Sequence, residues 1–128
     1  MTRSIITTEK APAAIGPYVQ AVRVGNLLFT AGQIAIDPVT QQVITGGIAE
    51  QTKRVLENLR AILEEAGSSL HRVVKTTVFL KDLGDFSTMN AVYAEYLASD
   101  DGAPARTTVE VARLPRNVLI EIDMVAEV

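Results

Sequence analysis

The stretch that most constrains the fold of this 128-residue chain is His71–Leu80, HRVVKTTVFL. Its β-branched content marks a strand. Alternation puts Val73, Lys75, Thr77 and Phe79 on one face and Val74, Thr76, Val78 and Leu80 on the other, and neither face is clearly polar. A sheet built around such a strand needs apolar cover on both sides. The chain offers two amphipathic helices for the task. In the first, Ala49, Thr52, Val55, Leu56, Leu59, Ile62, Leu63 and Ala66 recur at helical spacing over about 48–66, with Gly67 at the C′ position. The second runs from about Asp85, its candidate N-cap, to Leu97, with Phe86, Met89, Tyr93, Tyr96 and Leu97 as its buried stripe. Two helices cover one face of a mixed sheet, and identical subunits packed together would cover the other.

The remaining strands follow from alternation and turns. Residues 3–7 read as a short edge strand and residues 10–17, with two prolines and a glycine, as a structured loop. Gly25-Asn26 joins Tyr18–Val24 to Leu27–Ile34 in a hairpin. Centred there, the register pairs Val24 with Leu27, Val22 with Phe29, Gln20 with Ala31 and Tyr18 with Gln33. Gly32, inside the strand pattern, predicts a bulge or a close approach to the backbone. Gln42–Ile44 reads as a small strand after the Asp37-Pro38 turn, and residues 99–103 as a loop. The expected order is ββ(β)αβαββ, a single α+β domain over residues 1–128.

Composition narrows the chemistry. Hydrophobic residues make up 48% and aromatic residues 5%, a globular composition built on aliphatics. A net charge of −3 and the lack of any basic run argue against nucleic-acid binding. The absence of cysteine removes disulfides, thiolate metal sites and a thiol nucleophile, and a single histidine, His71, removes any multi-histidine metal centre. His71, at a strand start, is expected at the surface without a catalytic role. No apolar run approaches the roughly 20 residues that span a bilayer, and the N-terminus has no signal-like apolar core, so the cytoplasm is the expected location.

The candidate site falls in residues 104–122, PARTTVEVARLPRNVLIEI. Two β-branched runs, Thr107–Val111 and Val118–Ile122, flank a short connection containing Leu114 and Pro115, and they read as an antiparallel pair. Setting apolar opposite apolar pairs Val111 with Val118, Val109 with Ile120 and Thr107 with Ile122. Arg106, Thr108 and Glu110 then share the opposite face with Leu119, Glu121 and Asp123. On this register Glu121 lies across from Thr108 and diagonal to Arg106, about 7–8 Å between α-carbons. A guanidinium and a carboxylate so placed can converge on one small anion. The same pattern also fits an ordinary solvated ion cluster of Arg106, Glu121 and Asp123.

Four segments, APAAIGPYVQAV (11–22), TAGQI (30–34), VVKTTVFLKDLGDFSTMNAVYAEY (73–96) and the 104–122 stretch, together resemble the RidA/YjgF family of reactive-intermediate deaminases over nearly the whole length. The resemblance implies a chorismate-mutase-like α+β fold, a homotrimer whose strands form a central barrel, and ligand sites in clefts between subunits. It implies hydrolysis of enamines and imines such as 2-aminoacrylate and 2-aminocrotonate to 2-keto acids and ammonia, with no metal or organic cofactor, no nucleic acid and no membrane partner. On matching positions, Arg106 would grip the substrate carboxylate and Glu121 would position or activate water. Tyr18 would line the pocket, Asn90 would stand at the cleft, and Gly32 would lie where backbone groups meet the ligand. Thr108 stands where many members have cysteine, which excludes a thiol-dependent mechanism but keeps a small polar group beside the substrate, and Ala31 stands where some relatives have serine.

Each position has a structural alternative. Tyr18 fits an interfacial aromatic, Asn90 a solvated helix position and Gly32 a bulge without ligand, while Tyr93 and Tyr96 read as core. Two other functions compete with catalysis: a non-catalytic sensor of small carboxylates, which the Arg106 clamp would equally serve, and the RNA cleavage and translation inhibition linked to some members, against which the acidic balance speaks.

Overall fold

A computed structural model describes residues 2–128. Six strands, β1 (Arg3–Ile6), β2 (Ala21–Val24), β3 (Leu27–Thr30), β4 (Val73–Leu80), β5 (Ala105–Glu110) and β6 (Ile120–Glu127), form one mixed sheet in the order β1-β2-β3-β6-β4-β5. Two helices, α1 (Ile48–Glu65) and α2 (Phe86–Leu97), pack on one face. The fold is α+β, as expected. No helix among the described residues is long and apolar enough to cross a membrane.

Local signals placed most elements. In α1, Val55, Leu56, Leu59, Ile62 and Leu63 are fully buried against Val78, Leu80, Ile120, Ile122 and Met124 of the sheet. The helix ends in paired reverse bonds: Gly67 N–H donates to Glu64 O at 3.0 Å and Ser68 N–H to Leu63 O at 2.8 Å. Gly67 carries the φ of +83° that this closure requires. Asp85 is the N-cap residue of α2 but makes no capping bond with its side chain. β1 is an edge strand, and the β2–β3 hairpin has the expected Val24·Leu27 and Val22·Phe29 pairs. Gln42–Ile44 reduces to a single bridge between Val43 and Ile36.

Three expectations are corrected. The β2–β3 pairing stops earlier than predicted. Ala31 N–H still donates to Gln20 O at 2.9 Å, but Tyr18 turns back onto Gly16 O and Gln33 pairs instead with Ile122 of β6. Between the Phe29·Val125 and Gln33·Ile122 pairs, four steps along one strand oppose three along the other, so the chain bulges at Ala31-Gly32. Second, His71 falls in a one-turn 3₁₀ segment, Leu70–Arg72, and a register shift at Val74 puts Val73 on the same side as Thr76, Val78 and Leu80.

The third correction concerns residues 104–122. β5 and β6 are not neighbours, because β4 runs between them, parallel to β5 and antiparallel to β6. Alternation gave the two faces of each strand correctly, but apolar matching chose the wrong neighbour and so the wrong shared face: Val109 stands with Glu121, and Thr108 with Ile122. The strand–helix–strand order β4–α2–β5 calls for a parallel pair, and that connection won. Core-facing residues form the rows Thr76·Arg106·Met124 and Val78·Thr108·Ile122, whereas Phe79, Val109 and Glu121 form a row on the open face. Arg106 and Thr108 therefore point toward the helices, and Glu121 and Asp123 point away from them.

The open face carries an apolar row, Ile5·Val22·Phe29·Val125, crossing four strands. Ile5 is 59% exposed and Phe29 44%. The helix side is closed by buried polar anchors as well as by aliphatics. Asn58 Nδ2 donates to Ile34 O and Ile36 O, and Leu119 N–H donates to Gln51 Oε1, so α1 holds the loops that flank the start of β6.

The N-terminal loop hangs on one side chain. Gln20 Oε1 accepts from Thr8 N–H at 2.7 Å, and its Nε2 donates to Thr8 O, Ala11 O and Pro12 O. Gln20 is 2% exposed, so its removal strands backbone groups away from water. Gln20→Ala should lower the unfolding free energy by about 2–4 kcal/mol, read from the urea midpoint at unchanged slope. A loss below about 0.5 kcal/mol would mean that the loop is held by other contacts.

Candidate functional site

The six candidate residues gather into two groups on opposite sides of the sheet. The first lies on the open face around Glu121. A pocket of about 410 Å³ is bounded by Tyr18, Gly32, Gln33, Ile36, Pro115 and Glu121, among others. Tyr18 thus reaches the Ala31–Gln33 segment as predicted, but across a pocket rather than through strand pairing. The Glu121 carboxylate has no hydrogen-bond or ion-pair partner among the described residues. Burial chiefly, and the nearby Asp123 charge secondarily, hold its carboxyl above the usual glutamate range. An unpartnered carboxylate with a raised pKa, facing a pocket, is placed to accept a proton.

Gly32 makes this placement possible. Its backbone does not need glycine for conformation, because its φ is not positive. It needs glycine for space: a Cβ there would overlap a Glu121 carboxylate oxygen and lie 2.9 Å from Cδ. The bulge and the close approach anticipated for Gly32 are both present, and the approaching group is Glu121. Gly32→Ala should cost little stability, since the obstructed atoms end a flexible side chain. Displacing that carboxylate by about 1 Å should lower kcat/KM about 10²-fold. Wild-type kinetics in the alanine variant would show that the Glu121 position is not critical.

The second group surrounds Arg106, on the helix side of the sheet at its β5 edge. Arg106 Nη1 donates to Asn90 Oδ1 at 2.7 Å. The guanidinium carbon lies 4.7 Å from the Tyr93 ring centre and 5.4 Å from that of Phe86. A shallow pocket of about 340 Å³ is lined by Asn90, Tyr93, Ala94, Pro104 and Arg106. A guanidinium has five N–H donors, so the bond to Asn90 leaves enough for a two-pronged grip on a carboxylate. Thr108 is half-buried on this side, beside Val78 of β4.

Both poles expected from the sequence are therefore present, but not joined as expected. Within one chain Arg106 and Glu121 do not converge. Tyr93, expected in the core, is indeed only 5% exposed, and its ring also carries the arginine, a role its position in the sequence did not suggest. The signal was present: Phe86, Asn90 and Tyr93 stand at i, i+4 and i+7, one stripe of α2. His71 is a surface residue, with Nε2 3.3 Å from Asp101 Oδ2. Among the described residues no cluster of His, Asp or Glu could hold a metal ion.

Comparison with known proteins adds to this geometry. The family described as Endoribonuclease L-PSP matches residues 8–128. A RutC family protein of Pyrococcus abyssi is 60% identical over 126 residues, 98% of each chain. The 2-iminobutanoate/2-iminopropanoate deaminase of Escherichia coli K12 is 51% identical over 122 residues, 94% of each chain. Among solved structures, Escherichia coli TdcF with bound serine superposes with a TM-score of 0.91 at 43% identity, covering 98% of both chains.

Proposed function

The chain belongs to the YjgF/RidA family, and on that footing we propose that it hydrolyses small 2-imino acids, and the enamines that give rise to them, to 2-keto acids and ammonia. The observation that carries this reading is the pairing of chemistries on the two faces: a guanidinium held ready for a carboxylate and an unpartnered carboxylate suited to handling a proton. The name of the 51%-identical relative supports the substrate class.

The two groups act together only across a boundary between copies. Arg106 of one chain would meet Tyr18, Gly32 and Glu121 of another, and the apolar row on the open face would be covered in the same assembly, a homotrimer by the family resemblance. In the shared cleft the enamine tautomerises to the imine. Arg106 holds its carboxylate, and Tyr18 and the Gly32 backbone bound the pocket. Glu121 takes a proton from water as the oxygen adds to the imine carbon, forming a carbinolamine. That proton passes to nitrogen to complete the carbinolamine; Glu121 then moves the adduct's hydroxyl proton to nitrogen as the C–N bond breaks, so that ammonia leaves and the C=O of the keto acid forms. An imine is already electrophilic, so orientation and proton handling suffice, the latter worth about 10²–10⁴-fold.

The bound serine in the related TdcF structure favours one alternative, a sensor of small amino or keto acids. A single assay separates the two. A pyridoxal-phosphate-dependent serine or threonine dehydratase generates the imine, and keto-acid release is followed with and without this protein. Acceleration supports the enzyme; binding of the keto acid without acceleration supports the sensor.

A further inference from the structure

Building on the carboxylate-gripping role assigned to Arg106, we propose that Tyr93 and Thr76 are positioning residues: Thr76 fixes the Tyr93 ring, and the ring fixes the plane and reach of the Arg106 guanidinium. Three observations carry this. Thr76 is fully buried in the centre of β4 and directly opposite Arg106 in the parallel ladder. Its hydroxyl lies 2.7 Å from the Tyr93 hydroxyl, close enough that either can donate to the other. The Tyr93 ring in turn lies 4.7 Å from the Arg106 guanidinium carbon, with Phe86 at 5.4 Å and Asn90 Oδ1 receiving Nη1.

Buried hydroxyls need partners, and a phenylalanine–valine pair would fill the same space without any. A threonine and a tyrosine whose hydroxyls meet in the core therefore have a use beyond packing: their bond locks the rotation of the ring. An arginine side chain has several rotatable bonds, and fixing it before the ligand arrives removes an ordering cost from binding. The stack on an aromatic face sets the guanidinium plane, and the bond to Asn90 sets its rotation within that plane. Arg106 can then present its remaining N–H groups as a fixed fork at the edge of the sheet. Burial raises the Tyr93 pKa, so the phenol keeps its proton and the lock holds at working pH.

The test uses the full-length protein and 2-oxobutanoate as the carboxylate probe, with Arg106→Ala as reference. Tyr93→Leu should raise both KM and the Kd for 2-oxobutanoate about tenfold, with kcat changed far less. Tyr93→Phe and Thr76→Val should each raise them about threefold, and the double variant no more than either single one, because both remove the same contact. A merely structural role would lower the unfolding midpoint without moving the Kd of the folded protein. Should Tyr93→Leu fail to fold, the Tyr93→Phe and Thr76→Val cycle carries the test. Wild-type Kd in those variants, or strictly additive effects, would overturn the positioning role while a loss of binding in Arg106→Ala left the arginine grip standing. Wild-type binding in Arg106→Ala would instead overturn the grip on which the proposal rests.

Discussion

Arg106→Ala should lower kcat/KM for imine hydrolysis about 10²–10⁴-fold, from the loss of two charge-assisted hydrogen bonds to the substrate carboxylate. The guanidinium is held in the candidate site by a structured surround, Asn90 on one nitrogen and the Phe86 and Tyr93 rings nearby. None of these groups can replace it toward an anion. Lysine at 106 should recover only a small part, since an ammonium keeps the charge but loses the planar fork and the stacking. The side chain lies at an edge of the sheet and is only part-buried, so light scattering should give the same assembled mass as wild type. Activity within a factor of three of wild type would remove Arg106 from the mechanism.

Glu121→Gln should lower kcat about 10²–10⁴-fold, the usual worth of a positioned general base. The amide matches the carboxylate in size, so the Gly32 notch still accepts it. Wild-type kcat/KM should also fall on the acid side at a pH above the ordinary glutamate value of about 4.3, because burial and Asp123 raise the Glu121 pKa and only the ionised form takes a proton. Asp123→Asn removes the smaller of the two causes and should move that limb to lower pH. The same shift has a consequence for stability of opposite sign to its use in catalysis. With a native pKa above its unfolded value, Glu121 binds its proton more tightly in the folded chain. Its contribution is present below the unfolded pKa and is lost as pH rises through the native one. Glu121→Gln should therefore unfold at higher temperature than wild type at pH 7, with the gap closing toward pH 4. An inactive variant that is no more stable at neutral pH would mean that another charge in the assembly already neutralises Glu121.

How much of this was legible in the sequence depended on the range of the signal. α1 and α2 were readable because their apolar stripes repeat within a few residues, and the Gly25-Asn26 turn fixed its own register. The placement of β5 was not. Period-two alternation is satisfied equally by any neighbour of the right parity, and the apolar residues Val109 and Val111 suggested a core face that an edge strand does not need. Arg106 could turn inward because Phe86, Asn90 and Tyr93 wait on α2, a match between segments that is visible only once both are placed. Gly32 is the opposite case: one glycine in a strand pattern foretold a close approach, though not that Glu121 would make it. Alternation singled out Arg106 and Glu121, likeness to a family supplied their roles and the other positions, and their division between two faces could come only from the fold.

On the proposed reading the divided site is completed between chains, and subunit mixing tests that most directly. Arg106→Ala and Glu121→Gln proteins, each inactive alone, are unfolded together in equal amounts, refolded, and assayed for imine hydrolysis. If each site takes its arginine from one chain and its glutamate from another, random assortment leaves about a quarter of sites intact, and about a quarter of wild-type activity should return. If the mixture stays as inactive as its parents while a wild-type control refolds to full activity, Arg106 and Glu121 do not serve one site built between copies, and the proposed mechanism fails.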